Sequence, residues 1–401
     1  MRILLFCDFE FPDSCADASR VFNFAQIFRE LEHEVHLLGV CYSRKSELNG
    51  TYKGFEYKMF KPSAHYGLKS GKRIKNLSND IKNYLREYTG ERKYDAILLS
   101  NVYYDHSSVF INYAKRHGTK LIVNALEWFD INNATFKGLM GPIKFAKNRI
   151  ALRHTYKIMR NILAISSLLD NYYKQRGCNT VTVPTIIDPE EYASVRDMEH
   201  CNGEKISIAY AGVPGKKDYV VNAVKALGLL TEDERQRIEL HFYGPTADYF
   251  RNSGIDDGAV EKYKENVICH GRIPYSEVKQ KIAEADFTVL LRPNKRYANA
   301  GFPTKVGESM ACGTPVIANL TSDLGKYIID GETGYVCEDE SPEACADVFR
   351  KVLSLSIEQR DALRIGALKC ASEHFYYACY KDAIKSFLNS SIVIGRKSKD
   401  L

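Results

Sequence analysis

The 401-residue chain has one tryptophan, no Cys-x-x-Cys spacing among its 11 cysteines, no internal repeat and no low-complexity tract. Each absence removes a class of protein. Zinc sites draw on clustered Cys and His ligands, and disulfide frameworks on an even set of regularly spaced cysteines. Cys7, Cys15, Cys41, Cys178, Cys201, Cys269, Cys312, Cys337, Cys345, Cys370 and Cys379 are odd in number and scattered. They read as small hydrophobes in a reducing, cytosolic compartment. The apolar opening, Met1 to Cys7, is far shorter than the ~20 residues a membrane span needs and is followed at once by Asp8 and Glu10. It reads as a buried first strand, not a signal peptide. Charge of one sign is also scarce: the formal net charge is +6, with 50 acidic residues set among 56 basic ones. That balance, with no aromatic-and-basic RNA motif, gives no reason to expect nucleic acid as a partner.

What is present fits a soluble α/β protein. The hydrophobic fraction is 45% and the charged fraction 26%, both ordinary for globular chains, and the length suits two domains. Strand-like runs fall at 3–7, 35–40, 96–100, 121–125 and 162–165, then at 207–211, 238–242, 267–270, 287–291 and 315–318. Helical periodicity separates them, as in Val21, Phe24, Ala25, Phe28 and Leu31, a face that Asp17 or Ser19 would cap. Such alternation predicts parallel sheets covered by helices. Prolines at 184 and 189 and the polar run 194–205 mark the expected boundary, giving domains over 1–190 and 204–375.

The densest chemistry lies between Ala300 and Ile317. Gly301, Phe302, Pro303 and Thr304 lead into a helix whose first amides have no intrahelical partner, and such amides at the positive end of a helix dipole attract an anion. Glu308 follows about one turn later, placed to accept hydrogen bonds from a vicinal diol such as a ribose. Gly313, Thr314 and Pro315 end the helix, and an apolar strand resumes at Val316. These residues read as a site for a phosphate and a sugar hydroxyl; the plainer alternative is a helix start with a solvated glutamate.

This segment resembles the donor-site signature of the family-4 retaining glycosyltransferases (glycosyltransferase group 1) of GT-B architecture. Their pattern is Glu-Gly-Phe-Pro, four variable residues, Glu, then Ala-Met-Ala-x-Gly-x-Pro-Val. Ala300 stands where the first glutamate would be. The resemblance implies two Rossmann-like domains with parallel sheets facing across a cleft, and a final helix, from about residue 376, that crosses back to the first domain. It implies transfer of a hexose, with retention, from a nucleotide diphosphate-sugar to a glycan or polyprenyl-linked acceptor, as in polysaccharide biosynthesis. No cofactor and no metal are implied.

The same resemblance places Gly301, Phe302, Thr304 and Glu308 at the donor. After run 207–211 the family carries Gly-Arg and then Lys-Gly at the diphosphate; here Val213 replaces the arginine and Lys217 fits the lysine, while Lys216 is as readily a solvated residue. Arg292, just past run 287–291, either supplies the missing cation as a planar fork for phosphate oxygens or pairs with a neighbouring acid. Arg272 and Ile273 lie in the turn that passes the nucleobase in the family. From the first domain, Glu127, with Asp130 behind it, is the candidate beside the transferred sugar; alternatively Trp128 packs a core and both acids face water.

Between Lys137 and Arg160 the chain carries seven cations (Lys137, Lys144, Lys147, Arg149, Arg153, Lys157 and Arg160) and no acid, interleaved with Leu139, Ile143, Phe145, Ile150 and Leu152. Such a helix either docks on an anionic membrane surface, which would put a cytoplasmic protein on the inner face of the membrane, or presents an ordinary solvated basic face. The basic stretches Lys69 to Lys75 and Tyr172 to Lys174 do not decide between them. A nucleotide-sugar epimerase and a non-catalytic nucleotide-sugar-binding subunit are the alternative functions, the second encouraged by Ala300 and Val213.

Overall fold

Short apolar runs and amphipathic helices alternate to build two α/β units in the structure, a computed structural model that describes the chain outside residues 13–15, 44–47, 62–69, 88–91, 103–105, 131–140, 197–204, 253–261 and 396–401. Cys15, Cys201, Lys69, Lys137, Leu139 and most of the run 194–205 lie outside the described residues. Met1–Pro184 with Tyr377–Leu401 form one unit, and Thr185–Tyr376 the other.

The first sheet contains β1 (Arg2–Cys7), β2 (Glu34–Val40), β3 (Asn49–Tyr52), β4 (Phe55–Phe60), β5 (Ala96–Ser100), β6 (Lys120–Ala125), β7 (Asn161–Ala164) and β8 (Asn179–Thr182). Their order is β3-β4-β2-β1-β5-β6-β7-β8. Ile3 to Cys7 in β1 are wholly buried, as a central parallel strand covered on both faces requires. The five apolar runs of the first half become β1, β2, β5, β6 and β7. The other three strands have weaker signals. β3 and β4 form an antiparallel edge hairpin turned at Lys53 (φ 48°) and Gly54 (φ 76°), the left-handed pair of a type I′ turn. β8 has no fully buried residue, so hydrophobic patterning does not reveal it.

The helix Ala16–Glu30 begins ahead of the expected caps, with Asp17 inside its first turn. Its buried Arg20 donates to Asn124 Oδ1 (3.1 Å), to Val183 O (2.7 Å) and to Pro184 O, tying the helix to β6 and to the last residues before the chain leaves this unit. The closing helix Lys381–Ser390 also belongs to the first unit. Lys120 Nζ donates to Leu388 O at 2.7 Å, and Asn161 Nδ2 to Ile392 O at 2.8 Å.

The second sheet contains β9 (Ile206–Ala211), β10 (Ile238–Tyr243), β11 (Val267–Gly271), β12 (Phe287–Leu290), β13 (Val316–Asn319) and β14 (Gly334–Cys337). Its order is β11-β10-β9-β12-β13-β14, with parallel pairing throughout. After β9 the chain adds strands on one side, then returns to add β12 on the other. The carboxyl ends of β9 and β12 therefore flank a topological switch point, where open α/β sheets bind ligands. The opposite ends are fastened by buried Asp286, which accepts from Ser207 N (2.8 Å), Ser207 Oγ (3.0 Å) and Arg360 Nη1 (2.9 Å).

Candidate functional site

Three glycines shape the floor beyond the strand ends. Gly212 (φ 133°), Gly244 (φ 122°) and Gly271 (φ 66°) follow or close β9, β10 and β11, in conformations that L side chains rarely adopt. Gly212 N donates to Tyr243 O at 2.8 Å, and Gly244 N to Gly271 O at 2.7 Å. A Cβ on Gly244 would lie 2.2 Å from Gly212 O, and one on Gly212 would lie 2.7 Å from Lys305 Cε. The turns can close this tightly only without side chains.

Above the floor, Asp218 collects three donors. Tyr210 Oη donates to Oδ2 at 2.8 Å, Arg292 Nε to Oδ1 at 2.8 Å and Lys305 Nζ to Oδ2 at 3.0 Å. Burial opposes ionisation of Asp218, but the charges of Lys305 and Arg292, with hydrogen bonds from Lys305 and Tyr210, outweigh it and hold the carboxyl down at about 2. The Tyr210 phenol is pushed far up by burial and by Asp218 beside it. Arg292 is itself braced through its backbone: its N donates to Asn319 Oδ1 at 2.8 Å, and its O accepts from Asn319 Nδ2 at 2.7 Å. Its two terminal guanidinium nitrogens donate to no group among the described residues.

Lys305 stands on the helix Thr304–Ala311, which starts after Pro303 with no side-chain cap. Phe302 anchors that start in the core, edge-on to Tyr327 at 5.5 Å and beside Phe375 at 5.8 Å. Gly301 is extended (φ −87°), a conformation open to any residue. Glu308, three residues past Lys305, is part-buried, and its carboxyl accepts no hydrogen bond among the described residues. Burial pushes its pKa up, against the pull of Lys305 and Lys279. Lys279 is already engaged by Glu191, Nζ to Oε2 at 2.8 Å.

The site thus brings together Arg292, Gly301, Phe302, Thr304 and Glu308 of the residues singled out by sequence. For Arg292 the structure shows the pairing with an acid, Asp218, while its terminal nitrogens donate to no group among the described residues. Lys217 is part-buried in the turn that precedes the helix Val220–Leu227. Arg272 is exposed beyond β11, and Ile273 packs on Ala209, Tyr243 and Ala285. Glu127 belongs to the first unit, part-buried after β6, where its charge adds to burial in raising the Tyr156 phenol. Trp128 is buried edge-on to Tyr172 at 4.8 Å, and Asp130 is part-buried. Sequence reasoning passed over Asp218 and Lys305. Each had a signal: Asp218 follows Lys217 directly, and Lys305 is the second residue of the helix start. Among the described residues, no group of three His, Cys, Asp or Glu is placed to hold a metal.

Residues 195–369 match the family described as glycosyl transferases group 1. An uncharacterized glycosyltransferase of Methanocaldococcus jannaschii is 22% identical over 210 residues, which is 51% of this chain and 51% of that protein. The chain therefore spans about half the length of that relative. Among solved structures, sucrose-phosphate synthase from Thermosynechococcus elongatus is similar with a TM-score of 0.72 at 14% identity, over 97% of this chain and 98% of that one. HepE of Anabaena, in complex with UDP and glucose, gives a TM-score of 0.65 at 14% identity, over 97% and 99%. At such identities the likeness is one of fold. Residues 195–369, within the second unit, are thus similar to the glycosyl transferases group 1, in a chain of two α/β units with the GT-B fold.

Proposed function

We propose that the protein is a retaining, hexose-transferring family-4 glycosyltransferase that uses a nucleotide diphosphate-sugar as donor and a glycan or polyprenyl-linked glycan as acceptor. The reading extends to place: the cytoplasm or the inner face of the membrane, where a polyprenyl-linked acceptor presents its sugar. One observation carries it. At a topological switch point, Arg292, whose terminal nitrogens donate to no group among the described residues, the Lys305 ammonium, and the Glu308 carboxyl, which accepts no hydrogen bond among them, surround one helix start without a side-chain cap. Two cations with free amides suit a diphosphate, and a carboxylate one turn further in suits the ribose diol.

The chemistry follows from that placement. The bond between the anomeric carbon and the diphosphate oxygen breaks, and its electron pair leaves with the phosphate. Arg292, Lys305 and the helix amides stabilise the growing negative charge, the kind of preorganised electrostatics that commonly dominates a rate enhancement. The acceptor oxygen bonds to the anomeric carbon on the same face, and its proton passes to the departing phosphate oxygen. No protein nucleophile is needed, so Ala300 does not stop the reaction. Lys217 adds positive charge at the same turn, and Arg272 and Ile273 at the base and Glu127 at the transferred sugar are the roles that the resemblance implies for them.

UDP is the nucleotide to try first, because a protein of the same fold was solved with it. A second reading has one observation in its favour. Ala300 is fully buried, so an apolar side chain fills the position of the first acid, as suits a nucleotide-sugar-binding subunit without turnover. Nucleotide release from UDP-sugars, measured with and without glycan acceptors, separates the two: acceptor-dependent release supports transfer, and tight binding without release supports the subunit. Isomerised sugar without release would point instead to an epimerase. Unchanged donor affinity in Glu308→Ala would sink the site assignment.

A further inference from the structure

The helix Gly141–Ile150 in the first unit has no buried residue. It continues through a π-helical turn, Ala151–Thr155, into the helix Tyr156–Met159. There Ala151, Leu152, Thr155, Tyr156 and Met159 are buried and fasten the element to its unit. The amino-terminal stretch therefore stands proud of the unit while its carboxyl end is anchored. Ile143, Ile150 and Ile158 are 48%, 44% and 49% exposed, large values for isoleucines at one surface. At about 100° per residue, Ile143, Ala146 and Ile150 fall on one line of the helix, with Lys144 and Lys147 along one flank and Arg149 along the other. From Gly141 to Arg160 there are six cations, Lys144, Lys147, Arg149, Arg153, Lys157 and Arg160, and no acid.

We propose that this ridge docks on an anionic lipid bilayer. The isoleucines enter the boundary between headgroups and acyl chains, and the flanking cations meet lipid phosphates, the pattern of an interfacial helix. Other occupants fit less well. A nucleic acid would use the cations and leave the isoleucine line against phosphate, and a second copy would set six cations against six. Nor is the element a span: no helix among the described residues is long and apolar enough to cross a membrane. The inference names the surface behind the membrane placement proposed above, but vesicle binding does not depend on sugar transfer, so either can fail alone.

The test is co-sedimentation of the full chain with vesicles of phosphatidylcholine alone or with an equal part of phosphatidylglycerol. The expected result is binding to the anionic vesicles only. It should weaken roughly fivefold for each of Lys144→Gln, Lys147→Gln and Arg149→Gln, and further in Ile143→Ser with Ile150→Ser. A charge-matched control, Lys225→Gln, Lys351→Gln and Lys369→Gln, alters exposed cations of the second unit and should bind as the parent does. UDP-induced thermal shifts, unchanged in the ridge variants, verify folding and report on the donor site separately. Equal losses in the control, binding to neutral vesicles, no vesicle binding at all, or ridge-dependent capture of RNA without vesicle binding would each overturn the proposal.

Discussion

Asp218 and Glu308 are two carboxyls of one site that their surroundings drive in opposite directions. Asp218 is depressed to about 2, so the unfolded chain binds the extra proton first as pH falls. Its contribution is complete above the ordinary carboxylate range, near pH 4, and is lost as pH drops through about 2; the whole is on the order of 2 kcal/mol. Denaturant midpoints measured between pH 4 and pH 2 should therefore slope in the parent and flatten in Asp218→Asn. That variant also leaves Arg292 and Lys305 without their counter-ion, at a cost of about 3 kcal/mol at neutral pH. Glu308 has the reverse sign. Its pKa is raised by burial, so the folded state holds the proton longer and stability declines as pH rises past the ordinary carboxylate range. Glu308→Gln should raise the melting temperature of the ligand-free protein at neutral pH and weaken nucleotide-sugar binding by roughly tenfold to a hundredfold, the worth of a hydrogen bond to a charged group. A rise in melting temperature with no loss of binding would remove Glu308 from the site. Lys305→Gln should weaken UDP more than uridine in titration calorimetry, since only the former carries the anion.

The glycine floor and the helix start act as elements, and a backbone change there should reach the site without touching it. Gly244→Ala places a Cβ 2.2 Å from Gly212 O at a φ of 122°. Relief of that clash separates the turns after β9 and β10, at a cost of about 2–3 kcal/mol in urea denaturation. These elements also show what was legible before the structure. β9 to β13 and the helix start at Thr304 announce themselves by apolar runs and by the glycine and proline between them. β14 does not, being four residues that open on Gly334, where a Cβ would lie 2.2 Å from Val316 O. Close approach selects a residue there that patterning does not count. Lys305 was hidden for another reason. On a helix surface a lysine is ordinary, and only the pairing of a β9 turn with the helix Thr304–Ala311 gives it Asp218, 87 positions away. Asp218 was likewise obscured by the lysines before it, because its role depends on Arg292 from the end of β12.

For the whole molecule, a donor that binds only the native protein should raise its apparent stability by about 2.7 kcal/mol at a hundredfold excess over Kd. A thermal-shift series over UDP, other nucleoside diphosphates and their sugars would read this directly, and a flat series would argue against nucleotide-sugar binding. Within that series the helix Thr304–Ala311 has one more effect. Lys305 and Glu308 are three residues apart on a single rigid turn, with Cβ atoms about 5–6 Å from each other. On the proposed reading the helix is a ruler: it would set the separation between a bound anion and a bound diol, without any hinge to adjust. Diphosphate alone or uridine alone reaches one mark, so even both together, unlinked, should fall well short of UDP at equal concentration.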